Sequence, residues 1–301
     1  KQIIVIAPLD QSPAQRAGLV AGDMILKVDG QDSSNWTLPF TVDRIRGPKG
    51  TSVVLTILHK ASQKPADIKI VRDTITVKSV TGWVKNVKCQ MSNVKCQILE
   101  ENEKCDNCSK VAYIRLSQFG DSTNNDWINI VNDFSLKMQT DESIKGLIID
   151  LRNNPGGYLT DAKFIASEFL PKGDVVVYQE TDSKRTALSV DRRGLFTDKN
   201  IKIVVLINKG SASASEIVAG ALRDYNRAAL IGETSFGKGT IQEAADLGNG
   251  AGLHVTIAKW LTPNGTWVNG TGLTPDIEVL LDEKDPSHDT QLEKAVLELV
   301  K

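Results

Sequence analysis

The chain has 301 residues, with 36 Lys and Arg against 37 Asp and Glu. This length predicts two domains and a sizeable buried core. Because the charges nearly balance, nothing electrostatic indicates binding to nucleic acid or to an anionic membrane surface. No run of 18 apolar residues is present to span a bilayer. The chain starts at Lys1 within a strand pattern, without an initiator Met or a signal peptide, which predicts a truncated or processed fragment.

Residues 1–75 are predicted to form a first, small domain. Apolar alternation predicts strands at 3–7, 24–28, 52–58 and 67–71, and a second helix is expected at 40–45. A first short helix is expected at 13–17, because Ser12 precedes a proline at its first turn. The stretch 12–25, followed by Val28-Asp29-Gly30, resembles a PDZ domain of the bacterial, protease-associated type.

The PDZ resemblance covers about 70 residues. PDZ domains capture a C-terminal carboxylate in a backbone nest and add the bound peptide to their sheet as an extra strand. The glycine-containing carboxylate loop normally precedes the first strand, so we expect it to lie ahead of residue 1. The groove wall is expected within 1–75.

Residues 76–301 are predicted to form the second domain. Strands are expected at 74–80 and 83–87, and a Cys-rich insertion at about 86–110. Strand and helix then alternate, with strands at 111–116, 144–151, 175–178, 201–207, 229–232, 239–244 and 253–260 and helices at 125–138, 160–169, 213–224 and 289–300. This alternation predicts a layered α/β core.

The four cysteines lie within twenty residues, at Cys89, Cys96, Cys105 and Cys108. Their spacing fits two disulfides in an exported protein, a four-thiolate zinc site in a reducing compartment, or free thiols. The neighbouring residues are polar, which favours an exposed hairpin that takes no part in catalysis.

A small-residue turn around Ser213 is the most informative part of the sequence. It follows the apolar run 203–207 and opens a predicted helix. A serine there has its hydroxyl at a helix N-terminus, where the N–H groups favour negative charge. Ser213 and Glu216 also fit a capping box, which requires no catalysis, and Ser211 or Ser215 could instead carry the exposed hydroxyl.

Lys238 lies 25 residues after Ser213, between two glycines. A loop lysine is ordinarily solvated, but an amine removed from water is more readily neutral and can take a proton from serine. Gln242 would share a strand face with Lys238, since side chains alternate along a strand. Its amide could orient the amine, or Gln242 could be an ordinary surface residue.

The stretch from Asp150 to Gly157 ends a predicted buried strand, and ligands bind beyond the ends of parallel strands. Its Pro-Gly-Gly turn exposes N–H groups, at Gly156 and Gly157, that could form an oxyanion hole with the N–H of Ala214. A simple type II turn is the alternative. Asp150 and Arg152 are expected to form a structural ion pair that fixes this loop.

No HExxH, P-loop or GxGxxG pattern is present, so the sequence predicts no metal or cofactor for catalysis. Of His59, His254 and His288, only His254 is a candidate for a Ser–His–Asp arrangement.

Several long motifs, in order along the chain, carry a family likeness. They lie at 113–119, 150–157, 210–224, 232–242, 261–265 and 272–276. Together they resemble the carboxy-terminal processing proteases (tail-specific proteases, peptidase family S41), and the likeness covers nearly the whole chain. The Cys-rich insertion is the main departure from the family pattern.

This resemblance implies an α/β fold, with a crotonase/ClpP-like ββα protease core and a small cap, interrupted or preceded by a PDZ-like α+β domain. It implies Ser213 as nucleophile, Lys238 as general base and Gln242 in support, with Asp224 more structural than catalytic. The oxyanion donors would be Ala214 and a glycine of the Pro-Gly-Gly turn, with Gly157 preferred over Gly156.

The implied activity is that of a serine endopeptidase without cofactor, which cleaves proteins recognised at their C-terminal tails. The expected partners are proteins or peptides with accessible C-termini, and no nucleic acid is expected to bind. The sequence leaves open whether the chain forms a homo-oligomer and whether it binds an adaptor or lipoprotein. Export to the periplasm, cell envelope or extracellular space is expected. The alternatives are a non-catalytic PDZ scaffold on an inactive protease core, a crotonase-like acyl hydrolase and a thiol-dependent redox role.

Overall fold

The computed structural model describes residues 3–9, 12–59, 62, 64–75, 78–90, 95–99, 103, 105, 108–248, 251–281 and 288–301. The chain divides into two compact units, the first comprising Lys1–Val77 and Ile241–Ile257 and the second Lys78–Thr240 and Ala258–Lys301. The sequence predicted a single boundary after residue 75. The later segment that groups with the first unit belongs to two strands, 240–248 and 251–261, which the sequence assigned to the second domain.

The N-terminal part of the first unit is a small α+β fold. Its elements are β1 (Ile3–Ile4), α1 (Pro13–Arg16), β2 (Met24–Val28), β3 (Gln31–Asp32), α2 (Leu38–Ile45), β4 (Ser52–Leu58) and β5 (Ala66–Val71). The strands pair antiparallel in the order β1-β2-β4-β5, and β3 pairs with β2. Ser12 starts α1 as expected, because its Oγ accepts a hydrogen bond from the N–H of Gln15 (3.2 Å) ahead of the proline turn.

The rest of the chain contains β6 (Val80–Gln90), β7 (Lys95–Ile98), β8 (Ser109–Leu116), α3 (Thr123–Thr140), β9 (Ile144–Asp150), α4 (Leu159–Ala166), β10 (Val175–Glu180), β11 (Arg185–Ser189), β12 (Lys202–Ile207), α5 (Ala214–Asp224), β13 (Ala229–Gly232), β14 (Thr240–Gly248), β15 (Ala251–Leu261), β16 (Ile277–Glu278) and α6 (Thr290–Val300). The strand predicted at 74–80 is not formed at 74, 75, 78 and 79, where the chain is irregular; 76 and 77 lie outside the described residues.

A seven-stranded sheet in the order β16-β13-β12-β9-β8-β6-β7 is the centre of the second unit. The first five strands are parallel, and β6 and β7 are antiparallel additions. The central strands β9 and β12 are buried on both faces, which explains their continuous apolar sequences. On one face Ile148, Val204 and Ile231 pack against α6, whose contribution includes Ala295 and Leu299.

The cysteines form two disulfides, Cys89–Cys96 and Cys105–Cys108. In the part of the chain that the structure describes, no group of three or more His, Cys, Asp or Glu side chains could hold a metal. The sequence placed these cysteines in an exposed insertion. Instead β6 and β7 form the edge of the main sheet, and Cys89 and Cys96 pack against the core beneath α6, because they lie on the same face as the buried Val87.

A smaller sheet lies in the same unit, where β10 pairs antiparallel with β11 and with residues 259–261 at the end of β15. Within the described ranges, no helix is both long and apolar enough to cross a membrane.

Candidate active site

The carboxyl ends of β9 and β12 bring two of the sequence motifs together. These strands are parallel neighbours, with Asp150 paired to Leu206. The loop after β9 carries the Pro-Gly-Gly turn, and the loop after β12 leads to Ser213 and α5. This is the edge of a parallel sheet at which ligand sites are built.

The backbone of Ser213 is strained. Its φ of 55° and ψ of −114° lie in a region that residues other than glycine rarely adopt, at a cost of about 1–3 kcal/mol. A serine cap normally has extended backbone instead. A sharp strand-to-helix turn of this kind is typical of nucleophiles that must present their oxygen above a sheet.

The two neighbouring serines, Ser211 and Ser215, are both buried, and their hydroxyls form hydrogen bonds with backbone atoms of the adjacent loops. Ser211 Oγ donates to Leu151 O (2.8 Å) and accepts from Asn208 N (3.0 Å), while Ser215 Oγ donates to Asn154 O (2.9 Å). Ser213 is only half-buried. Of the three serines that the sequence left open, Ser213 is therefore the one that is most exposed to solvent.

The fully buried carboxylate of Glu216 links this turn to the lysine loop. Its Oε2 accepts hydrogen bonds from both Ser213 N (2.8 Å) and Lys238 N (2.9 Å). Its Oε1 accepts from Ser235 Oγ (2.5 Å) and Gly237 N (2.7 Å). Burial raises the pKa of Glu216, and these four hydrogen bonds act in the opposite direction. The sequence identified Glu216 only as a helix cap, because its other partners lie 19 to 22 residues away.

The peptide groups around Lys238 are held by side chains. Trp260 Nε1 donates to Lys238 O (2.9 Å), Trp267 Nε1 donates to Gly239 O (2.9 Å), and Asn269 Oδ1 accepts from Gly239 N (3.2 Å). Lys238 itself is half-buried. The loop therefore fixes the backbone from which the Lys238 side chain extends.

Gly156 lies directly against the serine turn. A Cβ at this position would be 2.9 Å from both Ser213 Cβ and Ala214 N, and its φ is +94°. The N–H of Gly156 is already used, because it donates to Asn154 Oδ1 (2.9 Å). Among the described residues, the N–H groups of Gly157 and Ala214 donate to no acceptor. Two unused N–H donors thus remain next to the serine turn.

Asp150 and Arg152 fix the start of this loop. Asp150 accepts hydrogen bonds from Arg152 Nη2 (2.6 Å), from Arg115 Nη1 (2.9 Å) and from the Tyr113 hydroxyl (2.7 Å). Burial alone would raise the pKa of Asp150, but the two guanidiniums lower it well below its usual range. Burial, together with the charge of Asp150, raises the pKa of Tyr113 well above its usual value.

Asp224 lies at the far end of α5 from Ser213. A helix of this length extends about 16 Å. Its Oδ2 accepts from Asn264 N (2.8 Å), so Asp224 stabilises the turn after β15. Gln242 lies on β14 and is exposed, as is His254 on β15; both belong to the segment that groups with the first unit.

Two family profiles match the chain. The profile of peptidase family S41 covers residues 110–279 and that of a PDZ domain covers 4–58. The carboxy-terminal-processing protease of Bartonella bacilliformis is 41% identical over 98% of this chain and 63% of that protein. The probable CtpA-like serine protease of Staphylococcus aureus (strain COL) is 36% identical over 92% of this chain and 50% of that protein.

Among solved structures, the photosystem II D1 C-terminal processing protease superposes with a TM-score of 0.78 at 29% identity, covering 93% of this chain and 68% of that one. The chain thus spans one half to two thirds of the length of these curated relatives. The S41 profile alone covers more than half of its residues, and it includes the serine turn, the lysine loop and the Pro-Gly-Gly turn. The chain belongs to peptidase family S41 and carries a PDZ domain ahead of its peptidase region.

Proposed function

We propose that this chain is the catalytic part of a serine endopeptidase in which Ser213 is the nucleophile and Lys238 the general base. The observation that carries the proposal is the single Glu216 oxygen that accepts the N–H groups of both residues. Such a link holds the nucleophile and the base in a fixed relation, which is the main requirement for nucleophilic catalysis.

The proposed reaction needs only groups of the protein and water. The neutral Lys238 amine takes the Ser213 hydroxyl proton as Oγ attacks the scissile carbonyl carbon. The resulting oxyanion accepts hydrogen bonds from the unused N–H groups of Gly157 and Ala214. The Lys238 ammonium then gives its proton to the leaving amine as the C–N bond breaks. Water, deprotonated by the same amine, hydrolyses the acyl-enzyme and restores Ser213.

In this proposal the oxyanion donor from the Pro-Gly-Gly turn is Gly157, the glycine that the sequence favoured, since the N–H of Gly156 donates to Asn154. Gln242 is proposed to orient the Lys238 amine when substrate is bound. Asp150, Arg152 and Asp224 have structural roles. No metal or cofactor takes part.

The substrates are proposed to be proteins recognised at their C-terminal tails. The PDZ match and the name of the Bartonella relative, a carboxy-terminal-processing protease, support this substrate class. The PDZ domain would add the tail to its sheet as a strand. Export is proposed from the two disulfides, which persist in oxidising compartments. A homo-oligomer and an adaptor or lipoprotein partner remain part of the proposal.

The test compares digestion of an unfolded protein, casein, by the parent chain and by Ser213→Ala and Lys238→Ala. Lys209→Ala is the matched control, because the Lys209 side chain is exposed and its amine pairs with Glu233. We expect cleavage to be lost in the first two variants and retained in the third. Cleavage that persists in Ser213→Ala would refute the proposed nucleophile, and none by the parent would favour a binding protein on a peptidase fold.

A further inference from the structure

The guanidinium of Arg152 joins two parts of the chain that are 137 residues apart. Its Nε and Nη2 donate to Asp150, two residues earlier, and its Nη1 and Nη2 donate to Asp289 (both 2.8 Å). Nη1 also donates to Gln291 Oε1 (3.1 Å). These contacts use all five N–H groups of the guanidinium. Arg152 is therefore held from one side by the strand that precedes the Pro-Gly-Gly turn and from the other by the C-terminal helix.

The carboxylate of Asp289 both caps α6 and pairs with Arg152. It is the N-cap of α6, since its Oδ1 accepts from Leu292 N (2.9 Å). The same carboxylate also receives Arg152 in a two-pronged pair, which is the most directional arrangement available to an arginine. The partner residue Gln291 is itself fixed, because it is fully buried and its Nε2 donates to Val279 O (2.8 Å).

Arg152 directly precedes the loop 153–157, and that loop has little freedom to absorb a displacement. Asn153 has a φ of +54° and exchanges two hydrogen bonds with Asn208. Asn154 is fully buried, and its side chain bonds both Leu116 O (2.8 Å) and Gly156 N. A shift of Arg152 is therefore expected to displace Gly157 as well, since the short segment between them is held by these hydrogen bonds.

We infer that Asp289, at the start of the C-terminal helix, is a positioning residue for the loop 153–157 and acts on it through Arg152. The inference rests on the proposed function in one respect, namely that the N–H of Gly157 stabilises the oxyanion. Asp289 touches neither the substrate nor the reacting atoms. Its role is to keep the guanidinium, and with it the start of the loop, in one place.

The substitution Asp289→Asn separates this role from helix capping. Asparagine caps helices as well as aspartate does, so α6 keeps its N-cap. An amide offers only one oxygen, however, and its NH2 group would face an N–H of Arg152. Glu293→Gln is the matched control: it removes one negative charge from the first turn of the same helix, at a side chain that bonds Cys96 N and not Arg152.

Two measurements test the inference. The first is amide hydrogen exchange of the peptide that contains 153–157, which we expect to be about 10-fold faster in Asp289→Asn and unchanged in Glu293→Gln. The second is peptide cleavage per titrated active site, for which we expect kcat to fall about 10-fold with KM within about 2-fold of the parent, since misplaced oxyanion donors affect the transition state. In an Arg152→Lys background, Asp289→Asn should have no further effect on either quantity.

Parental hydrogen exchange across 153–157 in Asp289→Asn would overturn the inference, and so would an equal change in Glu293→Gln. The exchange measurement does not require catalysis, so it tests the role of Asp289 even if the parent cleaves nothing. A parent chain that neither cleaves casein nor reacts at Ser213 with a phosphonate ester would refute the proposed function instead.

Discussion

Glu216→Gln is the sharpest test of how the nucleophile and the base are held together. Glutamine has nearly the same shape as glutamate, but it can accept hydrogen bonds through only one of its two terminal atoms. If the amide oxygen of the glutamine takes the place of Glu216 Oε2, it still accepts hydrogen bonds from the N–H groups of Ser213 and Lys238. Its NH2 group then faces the N–H of Gly237, which loses its acceptor.

The cost of this change follows from the four hydrogen bonds. Bonds to a charged acceptor contribute about 1.5–3 kcal/mol and neutral ones about 0.5–1.5 kcal/mol, and an unpaired buried N–H costs about 1–3 kcal/mol. In the opposite direction, the neutral amide avoids the desolvation that raises the pKa of Glu216. We expect a net loss of about 1–3 kcal/mol in the free energy of unfolding, and about a 100-fold loss in kcat, because small misplacements of reacting groups are expensive.

The matched control is Glu168→Gln. Glu168 is another buried carboxylate of the same unit, and it accepts hydrogen bonds from Leu195 N (2.5 Å) and Arg192 Nη2 (2.7 Å) but none from Ser213 or Lys238. Urea unfolding gives the stability of each variant, and cleavage per titrated active site gives kcat. Both variants should lose stability, and only Glu216→Gln should lose kcat. A parental kcat in Glu216→Gln, or an equal fall in Glu168→Gln, would refute the reasoning.

Three further substitutions have expected outcomes. Asp150→Asn removes the buried carboxylate shared by Arg115 and Arg152, which leaves Arg152 only its pair with Asp289, and should lower the free energy of unfolding in urea by about 3–5 kcal/mol. Gly157→Ala places a Cβ into Phe119 O at a φ of +146° and should abolish casein cleavage, whereas Gly173→Ala, with a φ of +100° but open space, should retain it. Hydrogen bonds from a lysine and a serine lower the pKa of Asp141 to about 2, so Asp141→Asn should cost about 0.5–1 kcal/mol at pH 7. That stability is fully present above pH 3.8 and is lost as the pH falls through 2, where unfolding of the two proteins should coincide.

The regular elements of the peptidase region could largely be predicted from the sequence, because their periodicity is strong. The strand 229–232 has the bounds that the sequence predicted, and the strand 144–151 ends one residue early, at Asp150. The strands β7 and β11 were missed. Both are short and pair at sheet edges, so each offers too few residues for a sustained alternation of apolar and polar residues.

The site could be predicted only as far as local signals extend. A strand followed by a small-residue turn indicates Ser213, yet Ser211 and Ser215 have the same local context, and only the folded loops show which hydroxyls are buried. The contact of Arg152 with Asp289 carries no sequence signal, since each residue has an adequate local explanation as an ion-pair member or a helix cap. When a side chain bonds one partner close in sequence and another far away, the sequence pattern predicts only the first contact.

The Cys89–Cys96 disulfide has a consequence for the C-terminal helix. The bond closes a short loop, with a sequence separation of 7, which in the chain-entropy treatment stabilises the folded state by about 2.5 kcal/mol. Cys96 also donates its N–H to Glu293 of α6 (2.8 Å), and both cysteines pack beneath that helix. The stabilisation exists only where thiols stay oxidised. The free energy that holds the edge strand β7 under α6 therefore depends on the redox potential of the compartment, and a reductant in the assay buffer would lower it without touching Ser213 or Lys238.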